Sequence, residues 1–173
     1  RSDSIYLWDA YGNSFLDFTS GIGVNNIGNR NFNVMNAIKE QLDHYVHTMV
    51  YGEHVQRNQV EYAKRISGLF PPRGDLPQQV FFVNSGNESI DLALKIARKV
   101  SGRKPVLSMT RGFHGRGYGA MSVTWNENYK KGFFVDDSTR FITPGEPRTF
   151  PLSAYGAVIL ELVQGEAGCI SLP

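Results

Sequence analysis

A short apolar run that leads directly into an amphipathic helix constrains this chain more than any other feature. Residues 80–83 read Val-Phe-Phe-Val, a β-branched and aromatic run that is typical of a buried strand. Over residues 90–100 the apolar side chains recur at steps of three and four, so they form one stripe along a helix. The sequence therefore predicts a strand, a tight turn and a helix in immediate succession.

The turn, residues 84–87, reads Asn-Ser-Gly-Asn and carries the chemistry of this unit. Gly86 permits a tight turn, and Ser85 and Asn87 are good capping residues. Such a turn directs free backbone N–H groups at one point, where the helix dipole favours an anion by about 0.3–1 kcal/mol. An ordinary helix cap explains the same residues, and neither a P-loop nor a dinucleotide-binding motif is present. The turn alone leaves a phosphate site and a plain cap open.

The other elements predict an α/β fold. The chain has 173 residues, of which 41% are hydrophobic and 20% charged, as in an ordinary globular protein. Alternating strands and helices imply βα units, a mainly parallel sheet and helices on both of its faces. Besides the central unit, the patterns predict a hairpin at 5–18, helices at 31–49 and 57–69 (the latter stopped by Pro71 and Pro72), strands at 105–109, 140–142 and 157–163, and a short helix ending near 123.

Composition also excludes several classes of protein. A net charge of +2 gives no reason to expect nucleic acid or an anionic membrane as a partner, and no apolar run reaches membrane-spanning length. Cys169 is the only cysteine, so an internal disulfide is impossible and a reducing compartment is favoured. His44, His47 and His54 lack the carboxylate or cysteine that would complete a metal site, so no metal is expected.

Three polar loops are expected at the carboxyl ends of strands, where open α/β sheets bind their ligands: 84–87, 112–115 and 161–166. In the second, Phe113 beside His114 suits either stacking on a flat ring or a place in the core. In the third, the two glutamates at 161 and 166 suit pairing with a cofactor, a substrate or an arginine, and equally a structural ion pair. The glycines at 115, 117 and 119 do not match a dinucleotide fingerprint, and we attribute their weak Gly-x-Gly resemblance to chance.

Five segments, in chain order, resemble the class III aminotransferases, the ω-amino-acid branch of the fold-type I enzymes that use pyridoxal phosphate (PLP). The opening hairpin, the next glycine-rich loop and the Asn-Ser-Gly turn each resemble a family segment. The Gly-Phe-His-Gly-Arg loop and the Glu-Leu-Val-Gln-Gly-Glu-Ala-Gly loop do so as well. They lie at 7–18, 20–24, 84–89, 112–116 and 161–168.

The resemblance implies PLP as the cofactor and assigns roles to named residues. It implies that Glu166 is a substrate gate that pairs with a substrate-binding arginine. Asn87 stands where the family usually has Thr or Ala, a change that is expected to be neutral if only backbone N–H groups bind the phosphate. The implied cofactor-binding residues are Ser85, Gly86 and Asn87 at the phosphate, Phe113 stacked on the pyridine ring, His114 beside it, and Glu161 nearby.

The same resemblance implies that catalytic parts lie downstream. The Schiff-base lysine and the acid at the pyridine nitrogen follow the 161–168 segment in the family. We therefore expect residues 1–50 to form an amino-terminal hairpin and helix segment. Residues 51–173 are expected to begin the large PLP-binding domain and to stop before that lysine. The chain alone is expected to be inactive, and the full-length enzyme is expected to be a cytoplasmic homodimer that binds neither nucleic acid nor membrane.

The function implied is transfer of an amino group from an amine or ω-amino acid to a 2-oxo acid. A decarboxylase, racemase or aminomutase of the same family reuses these motifs and stays open. So does a non-catalytic module that binds a phosphate-bearing ligand.

Overall fold

The contacts within the chain divide it into two units, residues 1–80 and 81–173. The computed structural model describes residues 1–49, 52, 54–71, 78–146 and 149–172. The helix near residue 60 belongs to the first of these units. The predicted assignment of everything from residue 51 onward to a cofactor-binding domain stays a prediction.

The first unit opens with a three-stranded antiparallel sheet in the order β1-β2-β3. The strands are β1 (Ser2–Asp3), β2 (Tyr6–Trp8) and β3 (Ser14–Leu16). The predicted hairpin is thus confirmed, and its turn is closed by Asp9, whose carboxylate accepts from the backbone N–H of Asn13 at 2.9 Å. The glycine-rich segment that follows contains one short helix, α1 (Ser20–Gly23).

Two longer helices complete the first unit, α2 (Phe32–His44) and α3 (Arg57–Ser67). The side chain of Asn31 caps α2, as its position before the apolar pattern indicates. The prediction that α2 reaches residue 49 is wrong, because Tyr45 adopts an extended backbone and ends the helix. The prediction that α3 reaches residue 69 is wrong by one half-turn; of the two prolines expected to stop it, Pro72 lies outside the described residues.

The second unit is built on α4 (Gly86–Ser101), the helix that the apolar stripe predicted. Ser85 caps its first turn, and Gly102 ends it in the left-handed conformation at φ 67°, which glycine adopts without strain. The strand predicted at 80–83 is wrong, since these residues carry no regular secondary structure. An apolar run becomes a strand only when a neighbour supplies the hydrogen-bond ladder, and this run is not part of the described sheet.

A parallel sheet lies beside α4. Its central strand β4 (Val106–Met109) pairs with β5 (Thr139–Ile142) on one side and β6 (Ala157–Val158) on the other, and all three run in the same direction. This confirms the α/β class and the mainly parallel sheet. The strand predicted at 157–163 is wrong beyond residue 158, because the chain leaves the sheet after its last bond to β4, from Ile159 N–H to the Leu107 carbonyl at 2.8 Å.

The core of the second unit forms where α4 and β4 meet α5 (Tyr118–Val123). Leu94, Val106 and Val123 make up its buried cluster. The Ser108 hydroxyl donates to the Val123 carbonyl at 2.6 Å and so ties the end of α5 to β4. A short antiparallel pair, β7 (Val163–Gln164) and β8 (Ile170–Ser171), follows the sheet. Within the described ranges, no helix is long and apolar enough to cross a membrane.

Candidate active site

The first turn of α4 presents backbone donors to an open space. The Ser85 hydroxyl accepts from the N–H of Glu88 at 3.2 Å, and the Glu88 carboxylate accepts from the N–H of Asn84 at 2.7 Å. Among the described residues, no acceptor bonds the N–H groups of Gly86 and Asn87. A Cβ built on Gly86 meets nothing within 4 Å, so the space in front of this turn is open. The turn can therefore receive an anion.

Two side chains of α4 hold the amino end of α5. The Asn87 amide oxygen accepts from the N–H of Gly117 at 2.6 Å, and the Asp91 carboxylate accepts from the N–H of Ala120 at 2.7 Å. The Asn87 amide nitrogen donates in turn to Asp91 at 3.4 Å. The side chain of Asn87 is thus committed to a structural bond, whereas its backbone N–H has no acceptor among the described residues.

These contacts explain the three glycines at 115, 117 and 119. A Cβ at Gly115 would lie 2.5 Å from the Asn87 amide oxygen, and one at Gly119 would lie 2.6 Å from the Asp91 carboxylate. At Gly117 a Cβ would collide with the Asn87 amide nitrogen. The glycines are needed because the side chains of α4 approach this backbone closely.

Phe113 and His114 are held in place through their backbone. The N–H of Phe113 donates to the Glu161 carboxylate at 2.9 Å, and the N–H of His114 donates to the hydroxyl of the fully buried Thr124 at 2.9 Å. Phe113 itself is half-buried and lines two open pockets, one of which also includes the first turn of α4. The predicted ring-stacking residue therefore has an accessible face beside the predicted phosphate turn.

His114 is buried and has an unpaired ring nitrogen. No group among the described residues lies within hydrogen-bonding distance of its Nε2. Burial lowers the pKa of His114, and the nearby Glu161 charge opposes that shift without cancelling it. Burial therefore favours the neutral ring, and Nε2 itself is shielded from solvent: it lies toward Gly112, where a built Cβ would come within 3.1 Å of it.

The segment after β6 carries the two glutamates of the sequence analysis. Its buried residue Gln164 donates to the Thr110 carbonyl at 2.9 Å, so the segment is fixed to the carboxyl end of β4. Glu161 lies against the backbone of Phe113, whereas Glu166 lies at the tip of an exposed turn and accepts from the hydroxyl of Tyr129 at 2.9 Å. The structure thus brings Glu161 to Phe113 and His114, and it places Glu166 at the second of the two pockets that Phe113 lines.

Sequence reasoning missed Asp91, Thr124 and Tyr129. The hydroxyl of Thr124 also donates to the Gly115 carbonyl at 2.9 Å, so it holds the two residues that directly follow Phe113. Asp91 and Thr124 act on backbone groups of distant segments, which leave no mark on sequence spacing. Only the close spacing of the glycines signalled that another element approaches this loop.

Solved structures define the class of protein. An amine transaminase from an uncultivated Pseudomonas species, in its PLP-bound form, aligns with 100% of this chain and 46% of its own at a TM-score of 0.85 and 25% identity. An (S)-enantioselective omega-transaminase from Thermomicrobium roseum aligns with 100% of this chain and 45% of its own at a TM-score of 0.84 and 26% identity. The chain has the fold of the amino-terminal part of fold-type I transaminases.

Sequence comparison defines the family. The aminotransferase class-III family matches residues 1–145, so the chain belongs to the class-III aminotransferases. It is 37% identical to an acetylornithine aminotransferase of Archaeoglobus fulgidus over 97% of this chain and 44% of the relative. It is 32% identical to a LysW-aminoadipate semialdehyde/glutamate semialdehyde transaminase of Sulfolobus acidocaldarius over 98% of this chain and 43% of the relative. The chain thus spans less than half the length of these curated relatives.

Proposed function

We propose that the full-length parent of this chain is a PLP-dependent transaminase that moves an amino group from an amine or ω-amino acid to a 2-oxo acid. The observation that carries the proposal is the convergence, in a member of this family, of three features on one pocket. They are the free N–H groups of the α4 turn, the accessible ring of Phe113 and the neighbouring His114, all of which line it.

The residues present fit the cofactor. The N–H groups of Gly86 and Asn87, at a helix N-terminus with open space in front, suit a phosphate. Ser85 accepts one bond through its hydroxyl oxygen and keeps its proton to donate. Phe113 offers a flat apolar surface to an aromatic ring, and His114 lies beside it in the lining of the same pocket.

When bound, the cofactor supplies an electron-poor ring that accepts the electron pair left on a substrate carbon as its proton departs. The residues of this chain bind and orient it. Gly86 and Asn87 fix the phosphate end, and Phe113 fixes the plane of the ring. Glu161 and Thr124 keep Phe113 and His114 in position through the two backbone bonds described above. The lysine that moves the proton and the acid at the ring nitrogen are proposed to lie in the remainder of the parent protein.

The functional test uses the full-length parent loaded with PLP. An ω-amino donor alone should convert the bound cofactor to its amino form, and a 2-oxo acid should then restore the original absorbance. Bound cofactor with release of carbon dioxide, inversion of the substrate or migration of its amino group would identify the same-family alternatives. Failure of PLP to bind would leave only a module for another phosphate-bearing ligand. The cytoplasmic homodimer expected from the family belongs to this proposal and is tested by sedimentation and by cell fractionation.

Glu166 is proposed to be a substrate gate in this enzyme. It is exposed at the tip of a turn, where its carboxylate is accessible to an arginine while an ω-amino donor binds. It is proposed to release that arginine for the α-carboxylate of an α-amino acid. Because Glu166→Ala leaves the arginine always available, the ratio of kcat/KM for glutamate to that for the ω-amino donor should rise about 5- to 10-fold.

The control for that variant is Glu146→Ala, which removes an exposed carboxylate that lies outside the pocket. It should leave the ratio unchanged. If Glu166 only holds its turn together, Glu166→Ala instead lowers both kcat/KM values equally and lowers the melting temperature, and the gate is refuted.

A further inference from the structure

The carboxylate of Glu166 already has a partner in this structure, and that partner is neutral. The hydroxyl of Tyr129 donates to Glu166 Oε2 at 2.9 Å, a bond that joins segments 37 residues apart in sequence. A phenol compensates a carboxylate less than a guanidinium does, because it offers one donor and no charge. The bond therefore holds Glu166 at a defined place without preventing its departure.

The position of the Tyr129 ring is fixed by its surroundings. The ring contacts Phe113 edge-on, with a centroid separation of 5.6 Å, and the guanidinium of Arg116 lies 5.9 Å from its centroid. Tyr129 ends a short 3₁₀ turn (Glu127–Tyr129) that is capped by the side chain of Asn126. The neighbouring Lys130 lies over the ring of Phe141 in β5 at 4.6 Å, which ties the turn to the sheet. The hydroxyl is thus presented to Glu166 by a built scaffold.

We infer that Tyr129 is the second resting partner of Glu166 and sets the balance between the two classes of substrate; this inference rests on the proposed function. When Glu166 lies on Tyr129, the gate arginine is free for an α-carboxylate. When Glu166 lies on the arginine, the site suits an ω-amino donor. Only the enzyme molecules in which Glu166 lies on Tyr129 can bind an α-carboxylate, so the apparent affinity for an α-carboxylate is proportional to the fraction of enzyme in that state.

The opposite effects of two variants test the inference. Tyr129→Phe keeps the ring against Phe113 but removes the hydroxyl, so Glu166 moves toward the arginine. In the PLP-loaded full-length enzyme, kcat/KM for glutamate should fall roughly 3- to 10-fold through KM, the range expected for one hydrogen bond. The value for the ω-amino donor should stay unchanged. Glu166→Ala shifts the ratio the other way, and the double variant should match Glu166→Ala, because Tyr129 acts only through that carboxylate.

A binding measurement provides a readout apart from turnover. Succinate carries carboxylates but no amino group, and its Kd, measured by calorimetry, should rise by the same roughly 3- to 10-fold in Tyr129→Phe. The bond to Glu166, aided by burial and by the Glu166 charge, raises the pKa of the Tyr129 hydroxyl. Ultraviolet difference titration of Glu166→Gln against wild type should therefore show one tyrosine ionising at lower pH. Tyr118→Phe, which removes the hydroxyl of an exposed tyrosine on α5, is the matched control and should change none of these values.

The outcomes separate the inference from the proposed function. Suppose that the wild-type enzyme uses both donors. If Tyr129→Phe then lowers kcat/KM for both donors equally, or leaves the Kd of succinate unchanged, the role of Tyr129 is overturned and the proposed transaminase function still holds. A shift of the ratio in the same direction for Tyr129→Phe and Glu166→Ala also overturns it. A wild-type enzyme that transfers no amino group overturns the proposed function and the role of Tyr129 with it.

Discussion

The side chain of Asn87 lies directly against Gly117, so the effects of substitutions at these two positions on the free energy of unfolding should depend on each other. Asn87→Ala deletes the oxygen that accepts from the Gly117 N–H at 2.6 Å. The donor is then left in a partly buried place without a partner, which costs about 1–3 kcal/mol. The same substitution also removes all three atoms nearest to a Cβ at position 117, because each of them belongs to Asn87.

Gly117→Ala should destabilise the wild-type protein by about 1–3 kcal/mol, because its Cβ collides with Asn87. Its backbone, at φ −74° and ψ 171°, accepts alanine without strain, so the collision is the whole cost. In the Asn87→Ala background that collision disappears. The double variant should then be about as stable as Asn87→Ala alone, which gives a coupling energy of roughly 1–3 kcal/mol.

The assay is thermal and urea unfolding of the full-length apoprotein for the four members of this cycle, with PLP titration of each. Asn36→Ala, at an exposed position inside α2, is the control for the gain in helix propensity that accompanies Asn→Ala. Effects that simply add, or a Gly117→Ala variant as stable as wild type, would refute the argument. The family resemblance predicts that replacing Asn87 is neutral for phosphate binding if only backbone N–H groups bind it, and PLP titration of Asn87→Ala tests that expectation.

The remaining predictions concern the phosphate turn and a buried ion pair. Gly86→Val should leave the melting temperature unchanged, because a Cβ at this position meets nothing within 4 Å. It should weaken PLP binding at least about tenfold, because the new side chain blocks approach of the phosphate to the turn. An unchanged affinity on spectroscopic titration would place the phosphate elsewhere. Asp136, 10% exposed, has its pKa lowered to about 2, because bonds from Ser138 and the charges of Lys104 and Arg98 outweigh the opposing effect of burial. The contribution of ionised Asp136 to the free energy of unfolding is present above pH 3.8 and is lost as the pH falls toward 2. Asp136→Asn should therefore lower that free energy by roughly 1–2 kcal/mol at neutral pH and make stability depend less on pH between 3.8 and 2. An unchanged pH dependence of stability in this range would contradict the prediction.

Local chemistry made α4 predictable from sequence. Its apolar stripe, the capping residue Ser85 and the terminating Gly102 all act within a few residues, so the pattern and the fold agree. The strand predicted at 80–83 failed for the opposite reason, since a strand needs a partner that the run itself does not encode. The early end of β6 is similar: the chain leaves the sheet to bring Glu161 to the backbone of Phe113, a contact 48 residues away in sequence.

The site shows the same division between local and distant causes. The family motifs identified which loops matter, but they did not reveal that the Asn87 side chain faces Gly117 or that Glu166 lies on Tyr129. Both contacts join segments that are about thirty or more residues apart. In a single sequence, the only trace of such contacts is the presence of glycines and aromatic residues that local structure does not explain.

The bonds from α4 to α5 have a consequence for how the proposed cofactor would be held. The side chain of Asn87 accepts from Gly117, and its backbone N–H would be offered to the phosphate, so one residue would connect both ends of the pocket. Asp91 repeats the connection one helical turn further on, through the N–H of Ala120. Thr124, at the carboxyl end of α5, then returns the connection to His114. The turn that begins α4 and the loop that carries Phe113 are therefore joined through α5 by three polar links, of 2.6, 2.7 and 2.9 Å.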